Sequence, residues 1–395
     1  MAVEHSQEHA NQHAHDHSRF ELDGIPCLWM RGGTSKGAMF LAEDLPADSQ
    51  ERDDLLLRIM GTPDKRQIDG IGGATSLTSK VAVISRSQHP NADVDYLFLQ
   101  VGVDQPTVSD TQNCGNILAA VGPFAVEKGL VSASDKVSND QATVRIRMVN
   151  SDSFATAQFG LNNGRPIYSG DAHFSGVPGT GAPITLDFAD TAGSATGALF
   201  PTGNLTDVIN GVTATCVDNG MPVVVVLASD LGLDGTETPA QLRENSALLE
   251  RVDALRKVAG EHMGLGDVSQ NSVPKTVALS AARDGGDVRM QAFIPVQPHE
   301  SIGIFAAISA ITAMRTPGCV GGELAAALPT DSAGVTVEHP SGTLRVEVEI
   351  SDDDAAASVG RSAIVSTARK LFDGRVFPRS AQPTQTQNNS ENQKD

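Results

Sequence analysis

Two helix-like stretches, about half a chain apart, are apolar on almost every side. They are GNILAAVGPFAVEKG (115–129) and SIGIFAAISAITAMR (301–315). A helix without a polar face must be buried all round, so each of these needs a surrounding layer of other structure. Both are entered from a strand-like segment through a short polar turn, TQNC before the first and QPHE before the second. We therefore expect an α+β fold of two similar units, each a curved sheet wrapped around one central helix.

Strand-like segments supply the surrounding layer. Several alternate with period two and are bounded by Gly, Asn or Pro, as is typical of half-buried antiparallel strands. These segments are 81–85, 94–103, 142–149, 184–189, 222–228, 276–281, 288–295 and 343–350. Asn163-Gly164 predicts a hairpin with a type I′ turn, because both turn positions need a positive φ. Mostly antiparallel sheets are therefore expected.

Chain length and one glycine-rich segment predict the domain organisation. At 395 residues the chain exceeds one ordinary core, so about two domains are expected. The segment SGVPGTGAP (175–183) is typical of a connector. We predict an N-terminal domain at 21–180 and a C-terminal domain at 181–378, flanked by disordered tails at 1–20 and 379–395. The first tail holds five of the ten histidines, so weak metal binding is the alternative to an extension without a chemical role.

Charge and composition exclude several classes of function. A formal net charge of −19 and an aromatic content of 4% argue against nucleic-acid binding, which needs basic surfaces and stacking platforms. The sequence contains no apolar run of 18 residues and no hydrophobic segment near its start, so neither a membrane span nor a secretory signal is predicted. The four cysteines include no C-x-x-C pair, which favours a reducing, cytoplasmic compartment over a disulfide framework or a zinc site.

Cys114 stands between two asparagines, directly ahead of the first apolar helix. The backbone N–H groups of a first helical turn have no partner within the helix, and together with the helix dipole they stabilise a thiolate there. Cys114 is therefore a candidate catalytic thiol, and the alternative is a cysteine that merely fits a tight turn. If the N-termini of both apolar helices point into the cleft between the domains, they form an anion site there.

Two glycine-rich loops combine small hydroxyls with cations. They are MRGGTSKG (30–37) and RQIDGIGGATSLTSKVAVI (66–84), and such mixtures bind carboxylates well. Neither loop is a P-loop, and no G-x-G-x-x-G stands between a strand and a helix, so nucleotide cofactors lose support. Lys80 opens an apolar strand, where desolvation favours the neutral, basic form of an amine. A lysine and a cysteine near one cleft suit proton transfer at carbon, although Lys80 could instead stay charged and stabilise an enolate.

Eight segments together resemble the PrpF-type isomerase family. They are MRGGTSKG, RQIDGIGGATSLTSKVAVI, DVDYLFLQV, QNCGNILAAVGPFA, FPTGN, DNGMPVV, GDVSQNSVPK and VEHPSG, and they extend from about Cys27 to about Phe377. The resemblance implies the diaminopimelate-epimerase-like fold, with two pseudo-symmetric domains, the site between them, and no metal or organic cofactor. It implies catalysis by Lys80 and Cys114. A second thiol is not expected, because Cys216 and Cys319 fit the start of the second apolar helix badly.

The resemblance also implies a small unsaturated polycarboxylate as substrate. This is 4-oxalomesaconate, interconverted between keto and enol forms in aromatic catabolism of the gallate or protocatechuate type. The alternatives are a 1,3-allylic isomerisation of the same acid or of methylaconitate or methylitaconate and, from another class, a non-catalytic organic-acid-binding protein. A homodimer is compatible with each of these functions. The residues expected to bind the substrate are Arg31, Ser35, Lys36, Ser76, Ser79, Asn113, Gly115, Asn116, Thr202, Asn204, Met221, Lys275 and Ser301.

Overall fold

The structure is a computed structural model in which strands dominate. It describes residues 20–111, 113–131, 137–138, 140–326, 334–351 and 358–381. Most of the two predicted disordered tails, residues 1–19 and 382–395, therefore lies outside the described residues. The helices are α1 (Ser49–Met60), α2 (Gly115–Glu127), α3 (Pro239–Glu244), α4 (Ser246–His262), α5 (Ile304–Arg315) and α6 (Gly322–Ala325), with 3₁₀ turns at Ala42–Asp44 and Ala228–Leu231. The strands are β1 (Ile25–Gly32), β2 (Ser35–Leu41), β3 (Lys80–Arg86), β4 (Val94–Val101), β5 (Val108–Ser109), β6 (Val137–Ser138), β7 (Gln141–Met148), β8 (Ser153–Asn162), β9 (Arg165–Pro166), β10 (Ala172–His173), β11 (Thr180–Gly181), β12 (Ile184–Ala189), β13 (Asp207–Ile209), β14 (Val212–Asp218), β15 (Pro222–Leu227), β16 (Lys275–Ala281), β17 (Val288–Ile294), β18 (Gln297–Pro298), β19 (Gly334–His339), β20 (Gly342–Ser351), β21 (Ser358–Ser366) and β22 (Ala368–Val376).

Helices α2 and α5 are the two apolar helices that the sequence predicts, and both are buried. Every residue of α2 from Ile117 to Ala125 is buried, as is every residue of α5 from Ala306 to Met314. Strands β1, β2, β3, β7, β8 and β9 pack around α2, and strands β14, β15, β20 and β21 pack around α5. The predicted α+β architecture, with a sheet wrapped around each apolar helix, is confirmed.

The two halves of the chain repeat one strand arrangement. In the first half, β2 lies parallel to β3, β3 lies antiparallel to β4, and β4 pairs in parallel with β7. In the second half, β15 lies parallel to β16, β16 lies antiparallel to β17, and β17 pairs in parallel with β19. This repetition makes Lys80, the first residue of β3, equivalent to Lys275, the first residue of β16.

The hydrogen-bonded sheet continues across the predicted domain boundary. Strand β12 pairs with β8 on one side and with β21 on the other, and β22 returns to pair antiparallel with β1. The predicted connector 175–183 contains strand β11 of the small β10–β11 hairpin. The division into 21–180 and 181–378 stays a prediction.

Helices α1 and α4 pack against the sheet in clusters separate from the core around α2 and α5, and the sequence pattern did not predict them. Helix α1 packs Leu55, Leu56 and Ile59 into a cluster with residues of β2 and β3. Helix α4 packs Val252 and Leu255 into a second cluster with residues of β14 and β15. Their apolar stripes are narrow and interrupted by charges, so they stand out less than α2 and α5. Within the described part of the chain, no helix combines the length and the hydropathy needed to cross a lipid bilayer.

The boundaries of the local elements largely follow the predictions. The eight predicted strands are present, and φ values of 49° at Asn163 and 75° at Gly164 confirm the predicted hairpin turn. Helix α2 starts at Gly115 as predicted. The predicted start of the second apolar helix is wrong, because α5 begins at Ile304 with Gly303 as an extended N-cap. The preceding residues form a turn in which the Ser301 backbone N–H donates to Nδ1 of His299 at 3.1 Å.

Candidate active site

The N-termini of α2 and α5 meet in the middle of the molecule. A Cβ atom on Gly115, the first residue of α2, would lie 2.9 Å from Cδ1 of Ile304, the first residue of α5. Glycine at 115 therefore permits the close approach. Each helix N-terminus carries unpaired N–H groups and the positive end of a dipole, so the junction of two such ends attracts anions. The geometry on which the expected anion site depends is present.

Cys114 is the N-cap of α2, with φ −122° and ψ 99°. Its carbonyl oxygen accepts hydrogen bonds from the Leu118 backbone N–H at 3.0 Å and from the Tyr96 hydroxyl at 3.3 Å. Burial, and then the nearby Cys114, raise the pKa of Tyr96 well above its ordinary value, so the phenol remains a donor. The Cys114 thiol makes no capping hydrogen bond and is half-buried. The backbone is thus fixed, while the side chain is only partly buried.

The other three cysteines are buried free thiols. Burial raises the pKa of Cys27 and of Cys216 to about 12, and that of Cys319 to about 11. A thiol with so high a pKa stays protonated at neutral pH and is a poor acid or base. These pKa values support the expectation that the site uses one thiol, Cys114.

Lys80 is held by a glutamine and an aromatic ring of the neighbouring strand. Its Nζ donates to Oε1 of Gln100 at 2.7 Å and lies 5.1 Å from the ring centre of Phe98. Gln100 is the direct antiparallel partner of Lys80. The amide nitrogen of Gln100 donates to the carbonyl oxygens of Ser76 and Ser79 at 3.2 and 3.0 Å. One side chain therefore positions both the amine and the loop that leads to it.

Side chains on one face of β4 contact both Lys80 and Cys114. Alternate residues of a strand point to the same side, so Tyr96, Phe98 and Gln100 share a face. Tyr96 contacts the Cys114 carbonyl, while Phe98 and Gln100 hold the Lys80 amine. Tyr96 and Phe98 are about 7 Å apart along the strand, at about 3.4 Å per residue. The structure thus brings the two predicted catalytic residues to the same side of the sheet.

The tip of the β1–β2 hairpin closes over the start of α2. A Cβ atom on Gly32 would collide with the Asn116 carbonyl, and one on Gly33 with the Asn116 side chain. Asn116 itself donates to the Thr34 hydroxyl at 3.2 Å. Ser35 is fully buried, and its hydroxyl has no hydrogen-bond partner among the residues that the structure describes. The Ser35 hydroxyl therefore has unused hydrogen-bonding capacity, and its expected role in substrate binding stays a prediction.

Arg31 and Lys36 face each other across the same hairpin. Nη1 of Arg31 donates to the carbonyl oxygens of Gly33 and Thr367 and to the Thr367 hydroxyl, each at 3.0 Å. Part of the guanidinium is therefore used to fix the hairpin. The Lys36 backbone N–H donates to the Leu77 carbonyl at 2.9 Å, which joins the hairpin to the second glycine-rich loop. The expected role of both cations in carboxylate binding stays a prediction.

Gln67 organises the second glycine-rich loop. Its Oε1 accepts hydrogen bonds from the Ser79 hydroxyl and from the Ala74 backbone N–H, both at 2.8 Å. Ser79 is thus buried and engaged, whereas Ser76 is exposed at the loop surface. Sequence reasoning missed Gln67 and Gln100. The sequence does show that Gln67 is a polar residue inside a glycine-rich loop and that Gln100 lies near the end of an apolar strand. The partners of these two glutamines, however, become known only from the tertiary structure.

Lys275 and Ser301 lie beside the start of α5. Nζ of Lys275 is 3.6 Å from the position that a Cβ atom on Gly303 would occupy. Burial lowers the pKa of Lys275. The Ser301 hydroxyl lies 3.4 Å from Nδ1 of His339, and burial lowers the pKa of that imidazole to about 4, so it is neutral at pH 7. Met221 also adjoins α5, since its carbonyl oxygen accepts from the Ser309 hydroxyl at 2.8 Å.

A small pocket lies between the starts of α2 and α5 and joins the two halves. Its polar lining residues are Thr34, Asn116, Ser175, Ser301, His339 and Thr343. Hydroxyls, an amide and a neutral imidazole can donate hydrogen bonds to a carboxylate without adding charge. In the described ranges, no group of three or more His, Cys, Asp or Glu residues could hold a metal ion.

Three other predicted residues make local contacts. Thr202 and Asn204 both bind Asp207, at 2.7 and 2.8 Å, and their side-chain hydrogen bonds within the described chain stay inside this turn. The Asn113 amide donates to the Ser151 hydroxyl at 2.5 Å. Oδ1 of Asn113 is buried and has no partner among the described residues. These hydrogen bonds tie neither Thr202 nor Asn204 to the helix N-termini, and their role in binding stays a prediction.

The chain is similar to known proteins over nearly the whole of its described length. The PrpF protein family matches residues 23–379. A (4E)-oxalomesaconate Delta-isomerase of Novosphingobium sp. is 51% identical over 356 residues, which are 90% of this chain and 98% of that protein. A 4-oxalomesaconate tautomerase of Pseudomonas putida is 52% identical over 352 residues, which are 89% of this chain and 95% of that protein.

One solved structure is similar to this chain in both sequence and fold. The crystal structure of a methylitaconate-delta-isomerase superposes with a TM-score of 0.81 at 34% identity, covering 90% of this chain and 95% of that one. The agreement confirms the predicted fold class. The family match covers all of the residues from β1 to β22, including Lys80 and Cys114. The chain therefore belongs to the PrpF protein family.

Proposed function

We propose that this protein is an isomerase that interconverts the keto and enol forms of 4-oxalomesaconate by proton transfer through Lys80 and Cys114. One observation carries the proposal: Cys114 caps α2 where the two helix N-termini meet, and Lys80 is held on the same side of the adjoining sheet. Both relatives at 51% and 52% identity carry oxalomesaconate in their names, as (4E)-oxalomesaconate in one and 4-oxalomesaconate in the other, which supports this substrate. Binding alone would need neither a thiol nor a positioned amine.

The site chemistry suits a polyanion that must become an enolate. The N–H groups at the starts of α2 and α5 bind carboxylates and stabilise the negative charge that develops on the conjugated system. In the ketonisation direction, one group donates a proton to carbon while another accepts the proton of the enol hydroxyl. Lys80 and Cys114 stand at the carbon end in this scheme. The substrate gains one proton and loses one, and water restores the two protein groups.

A second candidate function is the 1,3-allylic isomerisation of the same acid. It is favoured by the Novosphingobium relative, a Delta-isomerase whose identity of 51% is nearly that of the tautomerase at 52%. Both reactions use a proton shift along one conjugated system, so the same residues serve either. Proton NMR in D₂O separates them, because a tautomerase labels the carbon next to the keto group, whereas an allylic isomerase moves the carbon–carbon double bond.

One experiment tests whether the protein is an enzyme at all. Purified protein is mixed with synthetic 4-oxalomesaconate, and the absorbance of the conjugated enol is followed. The proposal expects loss of that absorbance well above the rate without protein, with deuterium from D₂O entering the product. Tight binding by calorimetry with no change in either signal would make the chain an organic-acid-binding protein.

Location, pathway and assembly remain proposals. The four free cysteines are compatible with the reducing, cytoplasmic compartment that the sequence predicts. A role in gallate or protocatechuate-type catabolism follows only if 4-oxalomesaconate is the substrate. Whether the protein forms a homodimer, which the sequence leaves open, is measured by light scattering coupled to size-exclusion chromatography.

A further inference from the structure

The repeated fold gives each catalytic candidate a counterpart in the other half. Lys80 and Lys275 each open a strand and each begin the parallel pairing with the strand before it. Cys114 and Gly303 are the extended N-caps of the two buried helices. The lysine therefore repeats in the second half, but the thiol does not.

Contacts around the helix starts support this equivalence independently. Gly33 packs against Asn116, the second residue of α2, just as Gly220 packs against Phe305, the second residue of α5. The two first residues contact each other across the junction. A pseudo-twofold axis therefore passes between the two helix starts, and equivalent groups approach the junction from opposite sides.

The side-chain nitrogen of Lys275 takes the place of the missing thiol. Because Gly303 has no side chain, Nζ of Lys275 reaches to 3.6 Å from the position of its absent Cβ. Lys80 donates to Gln100, whereas among the residues that the structure describes Nζ of Lys275 has neither a hydrogen-bond acceptor nor a carboxylate partner. Burial lowers the pKa of Lys275. The positive end of α5 also disfavours a cation there, so both effects promote the neutral amine.

We propose that Lys275 is the acid–base residue at the oxygen end of the substrate, opposite Lys80 and Cys114 at the carbon end. This inference rests on the proposed function. In ketonisation, neutral Lys275 accepts the enol hydroxyl proton, and the O–H electron pair becomes the π bond of the carbonyl. The electron pair of the C=C bond takes a proton at carbon from the Cys114 side. Lys275 ends as an ammonium, and exchange with water resets both groups.

The test compares Lys275→Met and Lys275→Arg with the wild-type enzyme, using 4-oxalomesaconate. Lys257→Met is the matched control, because that lysine lies on α4 with its side chain 44% exposed and paired with Asp253. We expect Lys275→Met to lower kcat by about 10²–10³-fold with KM within about threefold, the usual effect of losing a positioned acid or base. Lys275→Arg should not restore kcat, because a guanidinium keeps its proton at neutral pH. Added methylamine should partly restore Lys275→Met.

Several outcomes would overturn the inference. Near-wild-type kcat in Lys275→Arg, or an effect of Lys275→Met on KM alone, would make Lys275 an anion ligand. If circular dichroism shows that Lys275→Met is misfolded, Lys275→Gln replaces it, and full activity of that variant refutes the role. A wild-type enzyme without activity refutes the proposed function, whereas an active wild type with an equally active Lys275→Met refutes only this inference.

Discussion

Replacing Gln100 separates the two roles proposed for Lys80. Oε1 of Gln100 accepts the hydrogen bond of the Lys80 amine at 2.7 Å, and its amide nitrogen donates to Ser76 and Ser79. Gln100→Met removes the acceptor and the donors. Gln100→Glu also removes the donors but keeps an acceptor and adds a negative charge. The ratio of kcat/KM between the two variants therefore reports what a carboxylate beside Lys80 does.

The expected magnitudes follow from the geometry. Loss of a hydrogen bond costs about 0.5–1.5 kcal/mol for a neutral amine and about 1.5–3 kcal/mol for a charged one, so Gln100→Met should lower kcat/KM by about 2- to 150-fold. In Gln100→Glu, a unit charge pair at 2.7 Å gives about 6 kcal/mol at an effective dielectric constant of about 20, before desolvation is subtracted. Even a third of this, about 2 kcal/mol, would lower kcat/KM about 30-fold if the reaction needs the free amine. If Lys80 is a base, Gln100→Glu should be the worse variant.

The assay is steady-state formation of the enol from the keto form at pH 7, the direction in which a base removes the proton from carbon, with deuterium entry into the recovered keto form as a second readout. Gln158→Glu on β8 is the matched control, because its side chain is exposed and the substitution adds the same charge. An enzyme in which Gln100→Glu is clearly more active than Gln100→Met would refute the base role of Lys80, since a carboxylate that stabilises the ammonium would then assist the reaction. Equal, wild-type activity of both variants would refute the positioning role of Gln100.

Three other substitutions address the remaining contacts. Cys114→Ser should lower the rate about 10²–10⁴-fold, because the hydroxyl is a far weaker acid at the same position; unchanged turnover would reduce Cys114 to a turn residue. Lys80→Arg keeps a positive charge but cannot accept a proton, so this variant should be nearly as inactive as Lys80→Met and should stop deuterium entry. Substantial activity of the arginine variant would refute the base role of Lys80 and leave only its electrostatic role. Asn219→Ala should lower the free energy of unfolding by about 3 kcal/mol, because it removes three buried hydrogen bonds, with the hydroxyls of Thr191, Thr312 and Ser362. Urea denaturation measures this free energy, and a change under about 1 kcal/mol would contradict the expectation.

Local pattern was enough to predict the elements that carry the chemistry. The apolar helices were evident because nearly every residue of each is apolar, which no exposed helix tolerates. The capping position of Cys114 followed for the same reason, since an N-cap is defined by the residues next to it in the chain. Helix α5 shows the limit of such reasoning, because Ile302 and Gly303 belong to the same run without charged residues but precede the helix start at Ile304.

Partners far apart in the chain were decided only by the tertiary structure. Gln100 stands 20 residues after Lys80, and nothing near either residue marks them as neighbours until the register of β3 and β4 is known. The contact of Gly115 with Ile304 and the position of Lys275 beside Gly303 likewise depend on how the two halves pack. Periodicity along a strand determines which residues share a face, but not which residue of another strand lies opposite. The Lys80 amine is held by residues of the neighbouring strand. Lys80 and Cys114 could therefore be predicted from the sequence, but the side chains that position them could not.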